Sequence, residues 1–355
     1  MTVKHAIIAL WCCAALVGAA AETNAVAPGV TPRPALPALS VRGVNYYPRE
    51  TPWGGLWTKT PARVWENDLA LAASLRINTV RTFLSFSAEG EAAGLVQRDG
   101  APTALYLDRL NTFLDLAQRK GIRVILCFDF DPHALASPDG VLHARRALSA
   151  VVGAHRDDSR VLMWDLMNEP DDDAKWTDGT RAYLRDALTS VRGLDVAQGT
   201  TIGMTWRLDR IQEVGLPDVL QYHEYCPKQI LFEQGAVRVC QTIDHLRRAS
   251  EGRPLLIGEF GMCTARDPVH GADPSLSAKL GVPPGSEADQ ARLYEIVLAA
   301  AERTRVAGVL AWCLYDYPIP NPDEAQFGLV RADGTLKPAA QVLKQAFIRW
   351  EAGHD

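Results

Sequence analysis

The feature that most constrains the fold of this 355-residue chain is a repeated alternation between short apolar runs and longer amphipathic segments. The apolar runs have strand length and are nearly apolar on both faces, which is typical of parallel strands covered by helices. There are eight of them, at residues 41–46, 78–84, 123–129, 161–167, 200–205, 219–225, 254–260 and 308–314. The pattern therefore predicts an α/β fold with a parallel sheet.

The segments between these runs carry apolar residues at the three-to-four spacing of amphipathic helices. They predict helices at 61–75, 106–120, 180–193, 291–304 and 337–350, with a further short one at 207–217. Eight strand–helix units fit a closed (β/α)8 TIM barrel that forms a single domain over residues 41–351. An open doubly wound sheet is the alternative, but the first run ends in NYYPRE and lacks the Gly-rich turn of such sheets.

The N-terminus has the pattern of a secretory signal peptide. A short positive region at residues 4–5 precedes an apolar run at 6–17 and a Gly-Ala-Ala-Ala stretch, which predicts cleavage near Ala21–Glu22. The run is short for a transmembrane helix. Residues 22–40 are rich in Ala and Pro and predict a flexible leader. The mature protein is thus expected to be secreted or periplasmic.

Five cysteines remain after residues 1–21 are removed, so at least one of them stays unpaired. Cys226 and Cys240 lie close together in sequence and could form a disulfide in an oxidising compartment. Cys127 and Cys313 lie in apolar runs and fit buried thiols equally well.

The net charge of the chain and the spacing of its potential metal ligands limit the kinds of partner that the protein can bind. The net charge of −5 and isoelectric point near 5.9 give no basic surface for nucleic acid or anionic membrane. No Cys or His spacing suggests zinc, so neither a metal nor another cofactor is predicted. The mature protein is expected to be a monomer without a membrane segment.

Polar and aromatic side chains gather where the predicted strands end. The active site of a TIM barrel lies at the carboxyl ends of its strands, so these residues are expected to meet at one rim. They are Asn45 and Tyr46 of the first strand, Arg81 of the second, Asn168 and Glu169 of the fourth, His223 and Tyr225 of the sixth, Glu259 of the seventh and Trp312 of the eighth.

Glu169 and Glu259 are a pair of carboxylates suited to cleaving a glycosidic bond. One must be protonated to assist the leaving oxygen, and the other must be ionised to attack carbon or activate water. Arg81 is expected to keep Glu259 charged, whereas Glu169 is expected to have a raised pKa near a second negative charge. The chain has no G-x-S-x-G elbow for attack on a carbonyl group.

These residues together resemble glycoside hydrolase family 5, the cellulase and β-mannanase group of retaining barrel glycosidases. VLMWDLMNEP at 161–170 looks like the family's fourth-strand signature, and LLIGEFG at 255–261 looks like its seventh-strand motif. Further matches are Arg81, Trp312 and the pair His223 and Tyr225. The resemblance extends over residues 41–314 in the expected order.

The resemblance implies a double displacement with retention. Glu169 would be the acid/base and Glu259 the nucleophile, with their carboxyl groups about 5–5.5 Å apart. Asn168 would bind the sugar 2-hydroxyl. The family's roles for the remaining matches are orientation of the nucleophile and substrate by His223 and Tyr225, and stacking on the sugar by Trp312.

The third strand departs from the family's pattern. The family tends to carry a histidine near the end of this strand, but here His133 lies several residues beyond it, in CFDFDPHA. His133 is carried over as a substrate contact, with Asp129 or Asp131 as alternatives for the same place.

Several other residues receive roles from their positions alone. Trp53, Trp57 and Trp206 fall at strand ends or in the following loops, where flat rings suit the apolar faces of sugars. Asp165 lies inside a strand and would need a buried partner. Residues 171–173, all aspartates, are interpreted as a solvated loop that caps the next helix, in preference to a calcium site.

The sequence therefore predicts a secreted retaining β-glycoside hydrolase that takes a carbohydrate substrate, β-1,4-mannan or β-glucan. The alternatives are an exo-acting β-glycosidase or a transglycosylase working on oligosaccharide ends. A carbohydrate-binding barrel without activity is a further hypothesis, although a protein that only binds sugars has no need of both glutamates.

Overall fold

The computed structural model describes residues 36–86, 94–194, 197–205, 207–226, 228–264, 285–318 and 326–353. Eight parallel strands close into a barrel, each pairing with the next along the chain, and β8 pairs with β1. They are β1 (Val41–Asn45), β2 (Thr79–Ser85), β3 (Arg123–Asp129), β4 (Val161–Asn168), β5 (Gly199–Met204), β6 (Val219–Glu224), β7 (Leu255–Phe260) and β8 (Gly308–Ala311). The predicted TIM barrel is confirmed.

Helices alternate with the strands on the outside of the barrel. They are α1 (Gly55–Thr58), α2 (Ala62–Ser74), α3 (Ala104–Arg119), α4 (Pro138–Ala154), α5 (Asp178–Gly193), α6 (Leu208–Val214), α7 (Lys228–Gln234), α8 (Ala236–Arg248), α9 (Glu287–Thr304) and α10 (Pro338–Ala352). All six predicted helices are present. Four helices were not predicted: α1, α4, α7 and α8. Of these, α4 follows β3, and α7 and α8 follow β6.

Local sequence signals set where several helices begin. The Ser137 hydroxyl accepts a hydrogen bond from the Gly140 amide, and Pro138 occupies the first position of α4. A reciprocal capping box between Ser286 and Asp289 starts α9. These caps satisfy amide groups that the first helical turn leaves without partners.

Apolar side chains fill the lower barrel interior and the space between strands and helices. The interior cluster contains Val41, Ile125, Leu162, Met163, Val219, Leu256 and Leu310, from six of the eight strands. A larger cluster joins the outer strand faces to the helices. The buried charged side chains of Arg81, Asp165 and Glu259 come later along their strands and lie above this cluster, toward the carboxyl ends.

The cysteines of the described chain form no disulfide bond with one another. The Cys226–Cys240 pairing, which the sequence left open, is not formed in this structure: Cys240 lies within α8, and Cys226 follows β6. Cys127 and Cys313 are buried, as predicted.

The predicted signal segment at 1–21 and most of the leader lie outside the described residues. Within the described ranges, no helix combines the length and apolar character needed to cross a bilayer.

Candidate active site

Arg81 occupies the centre of a buried polar layer across the barrel. Its side chain is fully buried, and it projects from β2 with hydrogen bonds from all three of its nitrogens. Nε donates to Asp165 (2.7 Å), Nη1 to Asn45 (2.9 Å) and Glu259 (2.7 Å), and Nη2 to Asn168 (2.8 Å) and Cys127 (3.4 Å). These five bonds use every donor of the guanidinium and link β2 to β1, β3, β4 and β7.

Asp165 is the buried acid for which the sequence required a partner. It is fully buried, and Oδ2 accepts hydrogen bonds from Arg81 Nε (2.7 Å) and Gln221 Nε2 (3.0 Å). Oδ1 accepts the backbone N–H of Gly203 at 3.0 Å. The carboxylate is fully partnered within the barrel, which fits the structural role predicted for it.

The end of β4 breaks the regular strand pattern. Asp165 and Asn168 both contact Arg81 although they are three residues apart, because the pairing register with β5 shifts between them. Glu169 follows with φ of 47°, a left-handed conformation that is uncommon for residues other than glycine. Its N–H donates to the Gly203 carbonyl at 2.7 Å, which holds the turn at the barrel mouth.

His223 lies between the two glutamates. Its Nδ1 is 2.7 Å from Glu169 Oε1 and 3.6 Å from Glu259 Oε2. His223 and Glu259 are register partners on β6 and β7, so barrel closure brings the seventh-strand glutamate beside the fourth-strand one. Ligand atoms of these three residues all lie within 4.8 Å of one another.

Both oxygens of Glu259 are held by hydrogen-bond donors. Arg81 donates to Oε1 at 2.7 Å, and the Tyr225 hydroxyl donates to Oε2 at 3.0 Å. The Glu259 side chain is only 6% exposed, whereas that of Glu169 is 26% exposed. Glu259 is thus fixed on the floor of the site, and Glu169 is open to the cleft.

The pKa directions of the two glutamates are opposite to those predicted. Burial raises the pKa of Glu169, but the hydrogen bond and charge of His223 outweigh it and bring that pKa to about 2. Burial raises the pKa of Glu259, because His223 and Arg81 offset it only in part. Burial lowers the pKa of His223, but the two carboxylates outweigh it and raise that pKa. The expectation was wrong because His223 hydrogen-bonds Glu169 and because Glu259 is the more buried carboxyl group.

A comparison with known sequences identifies the family. The sequence model described as Cellulase (glycosyl hydrolase family 5) matches residues 39–282, which is well over half of the chain. The chain belongs to glycosyl hydrolase family 5. It is accordingly an O-glycosyl hydrolase with a carbohydrate substrate.

Solved structures of glycosidases share the fold. A GH5_18 protein from Streptomyces cattleya in complex with GlcNAc is 19% identical, with a TM-score of 0.65 over 88% of this chain and 81% of that one. An exo-β-1,4-mannosidase from Opitutaceae bacterium strain TAV5 is 19% identical, with a TM-score of 0.67 over 90% of this chain and 61% of that one. A GH2 β-galacturonidase from Eisenbergiella tayi is 19% identical (TM-score 0.62, 88% of this chain), and this chain spans 51% of its length. No curated protein matches the sequence.

Three residues predicted to bind substrate are buried in the protein core of this family 5 barrel instead. Asn45 is fully buried, and its amide donates to the carbonyls of Gly258 (2.9 Å) and Ala311 (3.3 Å). Tyr46 is 1% exposed, and its hydroxyl donates to Asp68 in α2 at 2.7 Å. Trp57 is 1% exposed, with its Nε1 bonded to the Phe83 carbonyl at 2.7 Å. These predictions are corrected, because all three side chains are enclosed by protein.

Trp53 and Trp312 form part of an aromatic wall on the β1, β2 and β8 side of the mouth. Both are partly exposed. Trp53 packs on Tyr47 with ring centroids 4.6 Å apart, and Trp312 packs edge-on to Phe83 at 6.0 Å. Both indoles keep part of their surface exposed, and their role in binding sugar stays a prediction. Trp206, also predicted to bind substrate, lies outside the described residues.

His133 lies past the end of β3, at the start of a short 3-10 turn. Its backbone N–H donates to Asp131 Oδ1 at 2.8 Å, and the residue is exposed. Asp129 ends β3 and lies two residues after Cys127, whose thiol contacts Arg81 inside the barrel. Side chains alternate along a strand, so Asp129 faces the mouth and is the better candidate for this place.

Gly203 was not predicted as a site residue, and the environment predicted for Asp171 was wrong. A Cβ built on Gly203 would come within 2.9 Å of His223 Nε2, so glycine leaves room for that ring. Asp171 is buried and accepts hydrogen bonds from the amides of Thr205 (2.9 Å) and Arg207 (2.9 Å), so it holds the loop after β5. It is not the solvated residue that was predicted. Contacts between strands decide both roles, and sequence pattern does not report them.

Glu169, His223 and Glu259 also satisfy a purely geometric test for a metal site within the described part of the chain. Their ligand atoms are already engaged with one another, with Arg81 and with Tyr225. These contacts account for the closeness of the three residues.

Proposed function

We propose that this family 5 protein is a secreted, retaining β-glycoside hydrolase that cleaves β-linked polysaccharide or oligosaccharide, with β-1,4-mannan or β-glucan as the substrate class. The observation that carries the proposal is the grouping of one oxygen each from Glu169 and Glu259 with His223 Nδ1 within 4.8 Å. Retaining enzymes separate their two carboxyl groups by about 5–5.5 Å, whereas inverting enzymes need about 6.5–9.5 Å to admit water between carboxyl and sugar.

In the first step, an oxygen of Glu259 attacks the anomeric carbon. The glycosidic C–O bond breaks, and the leaving oxygen takes a proton from Glu169. Arg81 and Tyr225 hold both oxygens of the nucleophile in place, so little reorganisation is required at the moment of attack.

In the second step, the ionised Glu169 removes a proton from water. The water oxygen attacks the anomeric carbon, and the bond from that carbon to Glu259 breaks, which restores both carboxyl groups. Two inversions leave the anomer unchanged. A sugar hydroxyl in place of water would give transglycosylation by the same chemistry.

The proton for the leaving group is held by the hydrogen-bonded pair of Glu169 and His223. The raised pKa of His223 keeps this proton on the pair near neutral pH. Their 2.7 Å hydrogen bond lets it move to Glu169 when the glycosidic oxygen approaches, which leaves neutral imidazole behind. His223 is thus proposed to supply the proton of the acid/base residue Glu169, and to do less to orient the nucleophile Glu259.

Asn168 is positioned to bind the sugar 2-hydroxyl. Its Oδ1 accepts a hydrogen bond from Arg81, so the amide nitrogen is directed away from the guanidinium and keeps its two donors. Trp312 offers a partly exposed ring on the opposite side of the mouth as a stacking surface.

The proposal that the protein is exported rests on residues 1–21, where a positive region is followed by an apolar run and then by small residues. N-terminal sequencing of the protein recovered outside the cytoplasm should begin near Glu22. Recovery only in the cytoplasm with residues 1–21 intact would reject export.

A hydrolysis screen tests the activity. The purified protein is incubated with mannan, cellulose derivatives, mixed-linkage glucan and aryl β-glycosides, and product lengths and anomers are followed by chromatography and proton NMR. Random shortening indicates an endo enzyme, single terminal sugars indicate an exo enzyme, and longer products indicate transglycosylation. An inverted first product would reject the double displacement, and binding without cleavage would favour a carbohydrate-binding barrel.

A further inference from the structure

Asp129 is a charged residue at the barrel mouth that the reaction steps above do not use. It ends β3, and Cys127 two residues earlier points into the barrel, where its thiol lies 3.4 Å from Arg81 Nη2. Phe128 and Phe130, on the opposite face, stack with each other at 6.0 Å. The alternation of the strand therefore directs the Asp129 carboxyl into the mouth.

Asp129 lies at the carboxyl end of β3, beside the end of β4 that carries Asn168. The residue is exposed to solvent, yet the surrounding protein desolvates its carboxyl group and raises its pKa. A side chain on a convex surface would be exposed without this desolvation. The carboxyl therefore lies where a bound molecule would contact it.

Lys175 supplies the opposite charge on the same side of the site. Its Nζ donates to the Asn168 carbonyl at 3.3 Å, which anchors the ammonium beside the end of β4. Its charge lowers the pKa of both Asp129 and Glu169, so it acts on both carboxyl groups. One of its three N–H donors is used by the carbonyl, and two remain for a ligand.

We propose that Asp129 and Lys175 form a binding pair for adjacent hydroxyl groups of a neutral sugar unit at the cleavage point, and that Asp129 determines specificity for those hydroxyls. The proposal deepens the glycosidase function proposed above and rests on it. A carboxylate accepts two hydrogen bonds, which matches two neighbouring hydroxyls, and an ammonium can donate to the same oxygens.

The charges near the pair disfavour an acidic sugar. The four carboxyl groups of Asp129, Asp165, Glu169 and Glu259 outnumber the three cations Arg81, His223 and Lys175, so no uncompensated positive charge remains to attract a uronate. Neutral hexosyl units with free neighbouring hydroxyls are therefore the class that this side of the cleft fits.

The test combines enzyme variants with substrate analogues. We measure kcat/KM of the wild type, Asp129→Ala and Asp129→Asn on a neutral aryl β-glycoside or oligosaccharide. The same enzymes are assayed on analogues in which one ring hydroxyl at a time is replaced by hydrogen. Asp157→Ala is the control, because that carboxyl is 81% exposed in the loop before β4, at the opposite end of the barrel.

Asp129→Ala should lower kcat/KM about 10- to 100-fold on the parent sugar, the loss expected for a hydrogen bond to a charged group. The wild type should lose a similar factor on one of the deoxy analogues, and Asp129→Ala should lose little more on that analogue. Asp157→Ala should stay within about two-fold of the wild type.

An Asp129→Ala variant within two-fold of the wild type would overturn the proposal. The proposal would also be overturned if Asp129→Ala lowered kcat/KM by the same factor on the parent sugar and on every deoxy analogue, because a merely structural role would give that result. If Asp129→Ala does not fold, the same comparison is made with the isosteric Asp129→Asn.

Turnover by the wild type decides the glycosidase function separately. If the wild type cleaves no glycoside, calorimetric binding of the same sugars to wild type and Asp129→Ala decides the inference. Weaker binding to the variant supports the pair, and equal or absent binding overturns it.

Discussion

At the scale of single residues, Gly203 shows how the site depends on an absent side chain. A Cβ there would lie 2.9 Å from both Gln221 Nε2 and His223 Nε2, and 3.0 Å from Arg81 Nη2. Its carbonyl accepts the N–H of Glu169 at 2.7 Å. Any side chain at this position must therefore displace groups that hold the acid/base residue.

Gly203→Ala is predicted to lower kcat about 10-fold or more and to destabilise the fold by about 1–3 kcal/mol, the usual cost of overpacking. Activity assays and thermal unfolding measure the two effects. Gly153→Ala is the matched control, because a Cβ at that position of α4 meets nothing within 4 Å. It should keep full activity and gain about 0.5–1 kcal/mol of stability. Equal behaviour of the two variants would contradict the account of Gly203.

The pH dependence of kcat/KM follows from the shifted groups. Activity requires ionised Glu259, whose raised pKa places the acidic limb above the ordinary value of 4.5. Activity also requires the proton shared by Glu169 and His223, and the raised pKa of His223 places the alkaline limb above 6.5. A bell-shaped profile with limbs in these ranges is the expected result.

His223→Asn tests the assignment of the alkaline limb. Without the imidazole, Glu169 alone must hold the proton, so the alkaline limb should move to lower pH. The acidic limb should move to higher pH, because His223 no longer lowers the pKa of Glu259. An alkaline limb that stays in place would show that another group sets it.

Most of the site residues, and the contact between Arg81 and Glu259, could be predicted from the sequence, but the hydrogen bond of His223 to Glu169 could not. Glu169, Glu259, Arg81 and His223 do meet at the barrel mouth. The strand period explains one error: Asn45 faces the barrel interior, so Tyr46 must face the helices, where it reaches Asp68. His223 is hydrogen-bonded to Glu169 because Glu169 itself adopts a φ of 47°, a conformation that no sequence pattern predicts.

At the scale of elements, the polar layer around Arg81 joins strands that are distant in sequence. Its guanidinium bonds to side chains on β1, β3, β4 and β7. A buried cation with several fixed partners requires the planar fork of arginine, because lysine offers one nitrogen without that geometry.

Arg81→Lys is predicted to lower the free energy of unfolding by about 3–5 kcal/mol, since it leaves buried polar groups without partners. The melting temperature should fall by on the order of 10 °C, and activity should be nearly lost. Arg146→Lys is the control, because that side chain is 47% exposed and pairs only loosely with Asp99, at 3.7 Å. Full stability and activity of Arg81→Lys would contradict the structural role of the layer.

The strands were easier to predict than the details of their pairing. All eight apolar runs became strands, because a strand that is buried on both faces needs a continuous run of apolar residues. The register shift between Asp165 and Asn168 was not predicted, since it arises from pairing with β5. The missed helix α4 carried a signal that could have been used, namely Ser137 followed by Pro138.

At the scale of the whole molecule, barrel closure is what creates the site. Residues from β2, β4, β6 and β7 converge on one mouth although they are spread over the sequence from Arg81 to Glu259. The order of motifs along the chain was sufficient to predict this convergence. The identity of the sugar was not predictable, because it depends on where side chains such as Asp129 and Lys175 lie around the mouth.

The central claim is that Glu259 forms a covalent bond to the sugar while Glu169 supplies and removes the proton. Its most direct test is mass spectrometry of the protein after reaction with an activated 2-deoxy-2-fluoro β-glycoside of the sugar that the screen identifies, which slows release of the intermediate. The account predicts a mass increase of one glycosyl unit, located on the peptide that contains Glu259 and absent in Glu259→Gln. A label on Glu169, or no label on an enzyme that turns over the parent glycoside, would contradict it.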